Sequence, residues 1–325
     1  MSLGYWTRRP KKLLWAARTA ADRVYESTLA GSLPRLHAWR LRRRRGEGID
    51  ESAAAAYARA VADDYEILAR EAGVLGAGDS LWRGKRVLEL GPGDVLSVGL
   101  VALLRGAASY HAVDAFDIAS RAAERNAGVY RRVAALEGAP EAEGPTRVAG
   151  AKIERDLSSA RARGLQFDVV ISRAVLEHVA DLEALFADLS RVVSDDALLL
   201  HKVDLRSHGM EQDSELDFLL FPERVYRRMA AHLDLPNRVR AGAYLELAER
   251  HRMRTLLLQS SHRARPDSLE RVRGQLPSRF ARLSDGELAV LGLWLVQGGP
   301  ARSPAVTVPG AADEIAAATA AFSRY

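Results

Sequence analysis

One segment constrains the fold more than any other: Val87-Leu88-Glu89-Leu90-Gly91-Pro92-Gly93-Asp94. Its first half is a short apolar run suited to a buried strand. Two glycines then permit a tight turn and a close approach of backbone to a ligand, and a helical run follows over residues 95–104. A strand that ends in such a turn and continues as a helix is the opening unit of an alternating α/β sheet.

The alternation continues downstream. Strands are expected at 110–113, 151–155, 167–172, 197–203, 253–259 and 288–296. Helices are expected at 118–136, 181–193 and 242–251, with a loop at 138–150 around Pro140 and Pro145. This spacing predicts a doubly wound, mostly parallel seven-stranded sheet. Residues 204–240 break the rhythm and predict a helical insertion after the fifth strand, marked by Phe218, Phe221 and Tyr226. Upstream, residues 11–40 have helical spacing, and Tyr57, Val61, Tyr65 and Leu68 share one face of a second helix over 51–72. The expected organisation is a basic N-terminal helical arm or lid (1–80), a ligand-binding domain (81–298) and a tail (299–325).

Composition excludes several chemistries. The chain has 325 residues and no Cys, so it has no disulfide, thiolate metal site or cysteine nucleophile. The apolar run 95–104 is half the ~20 residues a bilayer requires. No secretory leader is apparent at the start, and a cytoplasmic location is expected. Twelve Lys and Arg lie in residues 1–48 against three acids. That formal +9 leaves −4 for the rest of a chain whose net charge is +5. The arm, with its run Arg42–Arg45, is thus either a lid or a basic amphipathic helix suited to an anionic membrane surface.

Two ligands compete for the glycine turn. A dinucleotide fingerprint, G-x-G-x-x-G, needs a third glycine where Leu96 stands. S-adenosylmethionine has no phosphate and carries a sulfonium and an ammonium, which suit an acid within the strand, Glu89. Asp114 lies 21 residues after Gly93, at the end of the next strand, where an acid can bind ribose hydroxyls.

Glu89-Leu90-Gly91-Pro92-Gly93, Val113-Asp114, and Phe167-Asp168-Val169-Val170-Ile171-Ser172 followed by Leu176-Glu177-His178-Val179 together resemble the class I S-adenosylmethionine-dependent methyltransferases. The resemblance covers about residues 84–205, extends to 297 by strand order, and implies a Rossmann-like methyltransferase fold. It implies that Gly91 and Gly93 line the cofactor and that Glu89 acts near its amino group. Asp114 would bind the ribose, Asp156 the adenine, and Ser172 and Arg173 would flank the sulfonium. Asp168 is expected to be structural.

Methyl transfer to oxygen needs a proton removed. His208, at the expected mouth of the site, is the expected base, oriented by Asp204 or Glu177. His178, Arg238 and Tyr244 are expected at the substrate. No metal is expected, because Asp204, His201, His208 and Glu177 match no compact ligand spacing. The expected acceptor is a small molecule or glycan. Nucleic acid is not expected, since Ser172-Arg173-Ala174-Val175 replaces the Asn/Asp-Pro-Pro-Tyr element of base-modifying relatives. Use of the cofactor's aminocarboxypropyl arm, and a non-catalytic binding role, are the remaining alternatives.

Overall fold

A computed structural model of the chain describes residues 10–33, 50–114, 119, 123–231 and 235–301. Two helices come first, α1 (Pro10–Ser32) and α2 (Glu51–Glu71). The alternation then runs β1 (Arg86–Leu90), α3 (Ser97–Leu104), β2 (Ser109–Val113), α4 (Ala123–Leu136), α5 (Glu143–Ala149), β3 (Lys152–Glu154), α6 (Ser158–Ala162), β4 (Phe167–Arg173), α7 (Leu182–Val192) and β5 (Val193–Asp204). After β5 come α8 (Glu223–Ala230), α9 (Ala241–Arg250), β6 (Arg254–Arg263), α10 (Pro266–Arg273), α11 (Ser278–Ala281), α12 (Asp285–Ala289) and β7 (Val290–Gly298).

The seven strands form one sheet in the order β3-β2-β1-β4-β5-β7-β6. The first five run parallel, and β7 lies antiparallel between β5 and β6. The architecture is therefore the expected mostly parallel α/β sheet. Helix starts follow local chemistry: Asp50 accepts from Ala53 N (3.0 Å) and Asp181 from Ala184 N (2.9 Å), each satisfying an otherwise free helical N–H.

Each face of the sheet is covered. On one, Val61, Tyr65 and Leu68 of α2 and Leu100 and Val101 of α3 pack on Val87, Ile171, Leu200 and Trp294. On the other, Phe186 and Leu189 of α7 and Tyr244 of α9 pack on Leu88, Val170, Leu199 and Leu293. Fully burying one such side chain stabilises by about 1.5–3 kcal/mol, so both faces contribute. A third apolar cluster, built on Phe218, Phe221, Tyr226 and Met229, fills the insertion. Helix α1 joins it through Ala16 and through Trp15, whose ring lies 5.7 Å from that of Phe221.

Several expected bounds shift. The helix expected over 11–40 ends at Ser32. The loop expected over 138–150 contains α5, and the last strand starts at Val290 because Ser284 caps the short α12 ahead of it. Tyr65 is buried as its helical face predicts, whereas Tyr57 on that face is 49% exposed. The Arg42–Arg45 run and the tail from residue 302 lie outside the described residues.

Candidate functional site

Parallel strands present their carboxyl ends at one edge, and the glycine turn lies there. Gly91 and Gly93 both have left-handed backbones, φ +62° and +72°. A Cβ on Gly91 would stand 2.5 Å from Val175 Cγ2, so packing as well as backbone demands glycine. Among the described residues, a Cβ on Gly93 would meet nothing within 4 Å, which leaves space above the turn. Helix α4 pins the turn from behind: Asn126 Nδ2 donates to Asp94 O (2.5 Å) and Leu96 N to the Tyr130 hydroxyl (3.3 Å).

Two acids flank it. Glu89 points to the α2 side of β1, where the Tyr110 hydroxyl donates to Oε2 at 2.6 Å. Burial pushes the Glu89 carboxyl up to about 7, with the Tyr110 bond opposing the shift. Asp114 follows β2 and is 8% exposed, its N–H donating to Glu154 O at 2.9 Å. The third expected acid, Asp156, differs: it is exposed, and its Oδ1 turns back to accept from the Ser158 N–H and hydroxyl at the start of α6.

Ser172 and Arg173 are adjacent in β4 and so point to opposite faces. The Ser172 hydroxyl lies 2.7 Å from His201 Nδ1, inside the α7 side of the sheet. Burial lowers the His201 pKa to about 3 and keeps its ring neutral. Arg173 points toward α2, where it donates to Asp64 Oδ2 at 3.0 Å and lies over the rings of Trp294 and Tyr57. The sequence expectation that both flank one ligand group therefore meets the pleat of the strand. Only Arg173 shares a face with Glu89.

The second half of the site lies at the ends of β4 and β5. The turn Leu176–His178 follows β4, and Asn237 fastens it with three bonds: its N donates to Glu177 O (2.6 Å), and its Nδ2 to Leu176 O (2.9 Å) and Val179 O (3.0 Å). Glu177 is fully buried, and burial pushes its carboxyl up to about 7. His178 Nε2 lies 3.9 Å from Glu177 Oε1, and the His178 ring lies 5.0 Å from that of His208.

His208 follows β5 in a left-handed backbone, φ +51°, a conformation that costs energy for a residue with a Cβ. Its Nε2 stands 3.8 Å from Asp204 Oδ2, too far for a hydrogen bond. Asp204 is instead bound by Arg206 through its backbone N–H and its guanidinium. Burial raises the Asp204 pKa, but these Arg206 bonds outweigh it and hold the carboxyl below its usual value. A cavity of about 330 Å³ opens here, lined by Asp204, Arg206, His208, Glu211, Glu215 and His262 among others.

Two residues expected at a substrate sit elsewhere. Arg238 is 3% exposed, and its guanidinium donates to Phe218 O (3.3 Å), Phe221 O (2.8 Å) and Glu223. It holds the insertion together, stacked 3.8 Å over the Tyr226 ring. Tyr244 is fully buried in the α9 core. Residues the sequence reading passed over include Asp64 and Lys202, whose Nζ lies 5.1 Å over Trp294. Their only sequence signal is a polar residue on an otherwise apolar helix face or strand.

A family model described as "Methyltransferase domain" matches residues 36–256. Among solved structures, a Galdieria sulphuraria protein assigned as a sarcosine dimethylglycine methyltransferase is 15% identical over 75% of this chain and 86% of that one, with a TM-score of 0.45. An S-adenosylmethionine-dependent methyltransferase from Mesorhizobium loti is 15% identical over 68% of this chain and 93% of that one, with a TM-score of 0.39. Haemonchus contortus phosphoethanolamine N-methyltransferase 2, solved with S-adenosyl-L-methionine, is 15% identical over 73% of this chain and 52% of that one, with a TM-score of 0.40. No curated protein matches the chain.

Proposed function

The chain belongs to the methyltransferase-domain family, and on that premise we propose that it transfers the methyl group of S-adenosylmethionine to a hydroxyl of a small-molecule or glycan-type acceptor. The residues at the glycine turn fit this cofactor. The space above Gly93 admits a ligand against bare backbone, and Glu89 and Asp114 set acids beside it. An acidic surround suits a cationic ligand and opposes a pyrophosphate.

When bound, S-adenosylmethionine supplies a methyl group already activated by its sulfonium. The protein's part is then to bind, orient and exclude water. Gly91 and Gly93 hold the backbone close to the ligand. Glu89 answers its ammonium end through the network with Tyr110, and Asp114 receives ribose hydroxyls. Arg173, neutralised by Asp64, closes the α2 side without placing a free cation beside the sulfonium.

The observation that carries the acceptor reading is the cavity of about 330 Å³ at the end of β5, with His208 and Asp204 in its wall. In this reading His208, in the cavity wall, promotes the loss of the acceptor oxygen's proton, while Asp204 sets the local charge. The test is calorimetric binding of S-adenosylhomocysteine, followed by turnover against a panel of hydroxylated acceptors. Release of S-adenosylhomocysteine supports methyl transfer. Release of methylthioadenosine instead identifies transfer of the aminocarboxypropyl arm and overturns the reading.

A further inference from the structure

One group at the acceptor end is unexplained by methyl transfer alone. Glu177 is 0% exposed, and among the described residues no side chain hydrogen-bonds either carboxylate oxygen; only the backbone N–H groups of Glu177 and Asp204 lie close enough to favour its charged form. An isolated carboxylate in such a place is strongly destabilising unless a cation or a proton meets it. Nothing in the packing of the turn requires an acid there, since Asn237 secures the turn through backbone carbonyls.

The surroundings supply two matching ligands. One carboxylate oxygen of Glu177 and one ring nitrogen each of His178 and His208 lie within 4.8 Å of one another. Three donors sharing an ion through bonds of about 2.1 Å stand about 3–4 Å apart, so small side-chain adjustments bring these onto one centre. Two imidazoles and a carboxylate form the donor set of first-row divalent cations, and three protein ligands leave coordination positions open. His178 and His208 are only partly buried, with side chains 19% and 25% exposed, and His208 lines the cavity at the end of β5. The ion site therefore borders, through His208, the cavity assigned to the acceptor.

We propose that Glu177, His178 and His208 bind one first-row divalent cation, and that this cation takes the acceptor's hydroxyl oxygen. The second clause rests on the methyl-transfer reading; the ion site itself does not. Coordination lowers the pKa of the hydroxyl. Its O–H bond breaks and the proton leaves to water. The oxygen lone pair then forms the new O–C bond as the methyl–sulfur bond breaks, with the electron pair staying on sulfur. His208 thereby promotes proton loss as a ligand. The sequence expectation of no metal rested on spacing along the chain. Here the ligands come from turns after two adjacent strands, which sequence spacing does not display.

The experiment uses the full chain, dialysed against chelator, and titrates Mn²⁺ by calorimetry and electron paramagnetic resonance, with Zn²⁺ as competitor. S-adenosylhomocysteine binding is measured in parallel. One equivalent of Mn²⁺ is expected to bind, with affinity falling roughly tenfold or more in both Glu177→Gln and His208→Ala and S-adenosylhomocysteine affinity unchanged. His208→Ala alters a partly exposed side chain and so guards against loss of fold in Glu177→Gln. Absence of saturable Mn²⁺ or Zn²⁺ binding by the wild type, or binding unaltered in both variants, overturns the site. Ion binding without S-adenosylhomocysteine binding supports the site and overturns the methyl-transfer reading instead.

Discussion

Arg173 at the end of β4 donates to Asp64 of α2 at 3.0 Å, and the guanidinium is sandwiched against Trp294 and Tyr57. This contact fastens α2 over the face that carries Glu89. Both side chains are mostly buried, at 15% and 19% exposure, so removing one charge leaves the other poorly solvated. Asp64→Asn is expected to lower stability by about 1–3 kcal/mol, read as a shift of the urea midpoint at unchanged slope.

The two turn glycines separate packing from ligand approach. Gly91→Ala meets both a left-handed backbone and Val175, and is expected to cost about 3 kcal/mol. Gly93→Ala meets only the backbone term, about 1 kcal/mol, yet its methyl group occupies the space above the turn. Thermal melts paired with S-adenosylhomocysteine calorimetry should find Gly93→Ala folded and its affinity reduced roughly tenfold, a loss of about 1.4 kcal/mol.

Glu89 gives a pH dependence with a definite sign. Its folded pKa is raised from 4.5 to about 7, chiefly by burial. The folded state therefore holds the proton more tightly than the unfolded chain. Its contribution to stability is fully present below about pH 4.5 and is lost as pH rises through 7. The difference in unfolding free energy between wild type and Glu89→Gln, followed from pH 4.5 to 7.5, should move steadily in favour of Glu89→Gln. A flat difference would remove the assignment.

Asp168 has the opposite sign. Arg86 binds it through both guanidinium and backbone N–H, and these bonds hold its carboxyl down to about 2. The stability it confers is present above about pH 3.8 and disappears as pH falls toward 2. Asp168→Asn should therefore be less stable than wild type at neutral pH and converge with it near pH 2, as followed by circular dichroism.

Arg238 tests the insertion. Its guanidinium satisfies two backbone carbonyls and meets Glu223. Arg238→Met is expected to cost about 3 kcal/mol and to leave S-adenosylhomocysteine affinity within twofold. A variant of normal stability that fails to turn over would restore the substrate role expected from sequence.

Much of this was legible because it is local. The run Val87–Leu90 followed by two glycines states both a strand and its turn within a few residues. Asp168 reads as structural because it opens β4, and Arg86 opens the neighbouring β1. The illegible parts are those that the sheet creates. Glu177 and His208 are separated by a strand and a helix in sequence and meet only because β4 and β5 are neighbours. Arg238 is a residue type that usually faces solvent or a ligand, and only the closing of the insertion over it makes it internal. Ser172 and Arg173 looked alike in sequence, and the strand pleat sent them to different faces.

The placement of β7 between β5 and β6 has a consequence for synthesis. A nascent chain leaves the ribosome from its N-terminus, so β1–β5 can assemble while later residues are still being added. Within the sheet β6 pairs only with β7, so it must wait for a segment made after it. Until residues 290–298 emerge, β5 is an open edge whose Leu198–Val203 stretch is mostly apolar. The last strand of this sheet to be translated is thus the one that shields its interior, and a ribosome stalled before it would display a surface that chaperones bind.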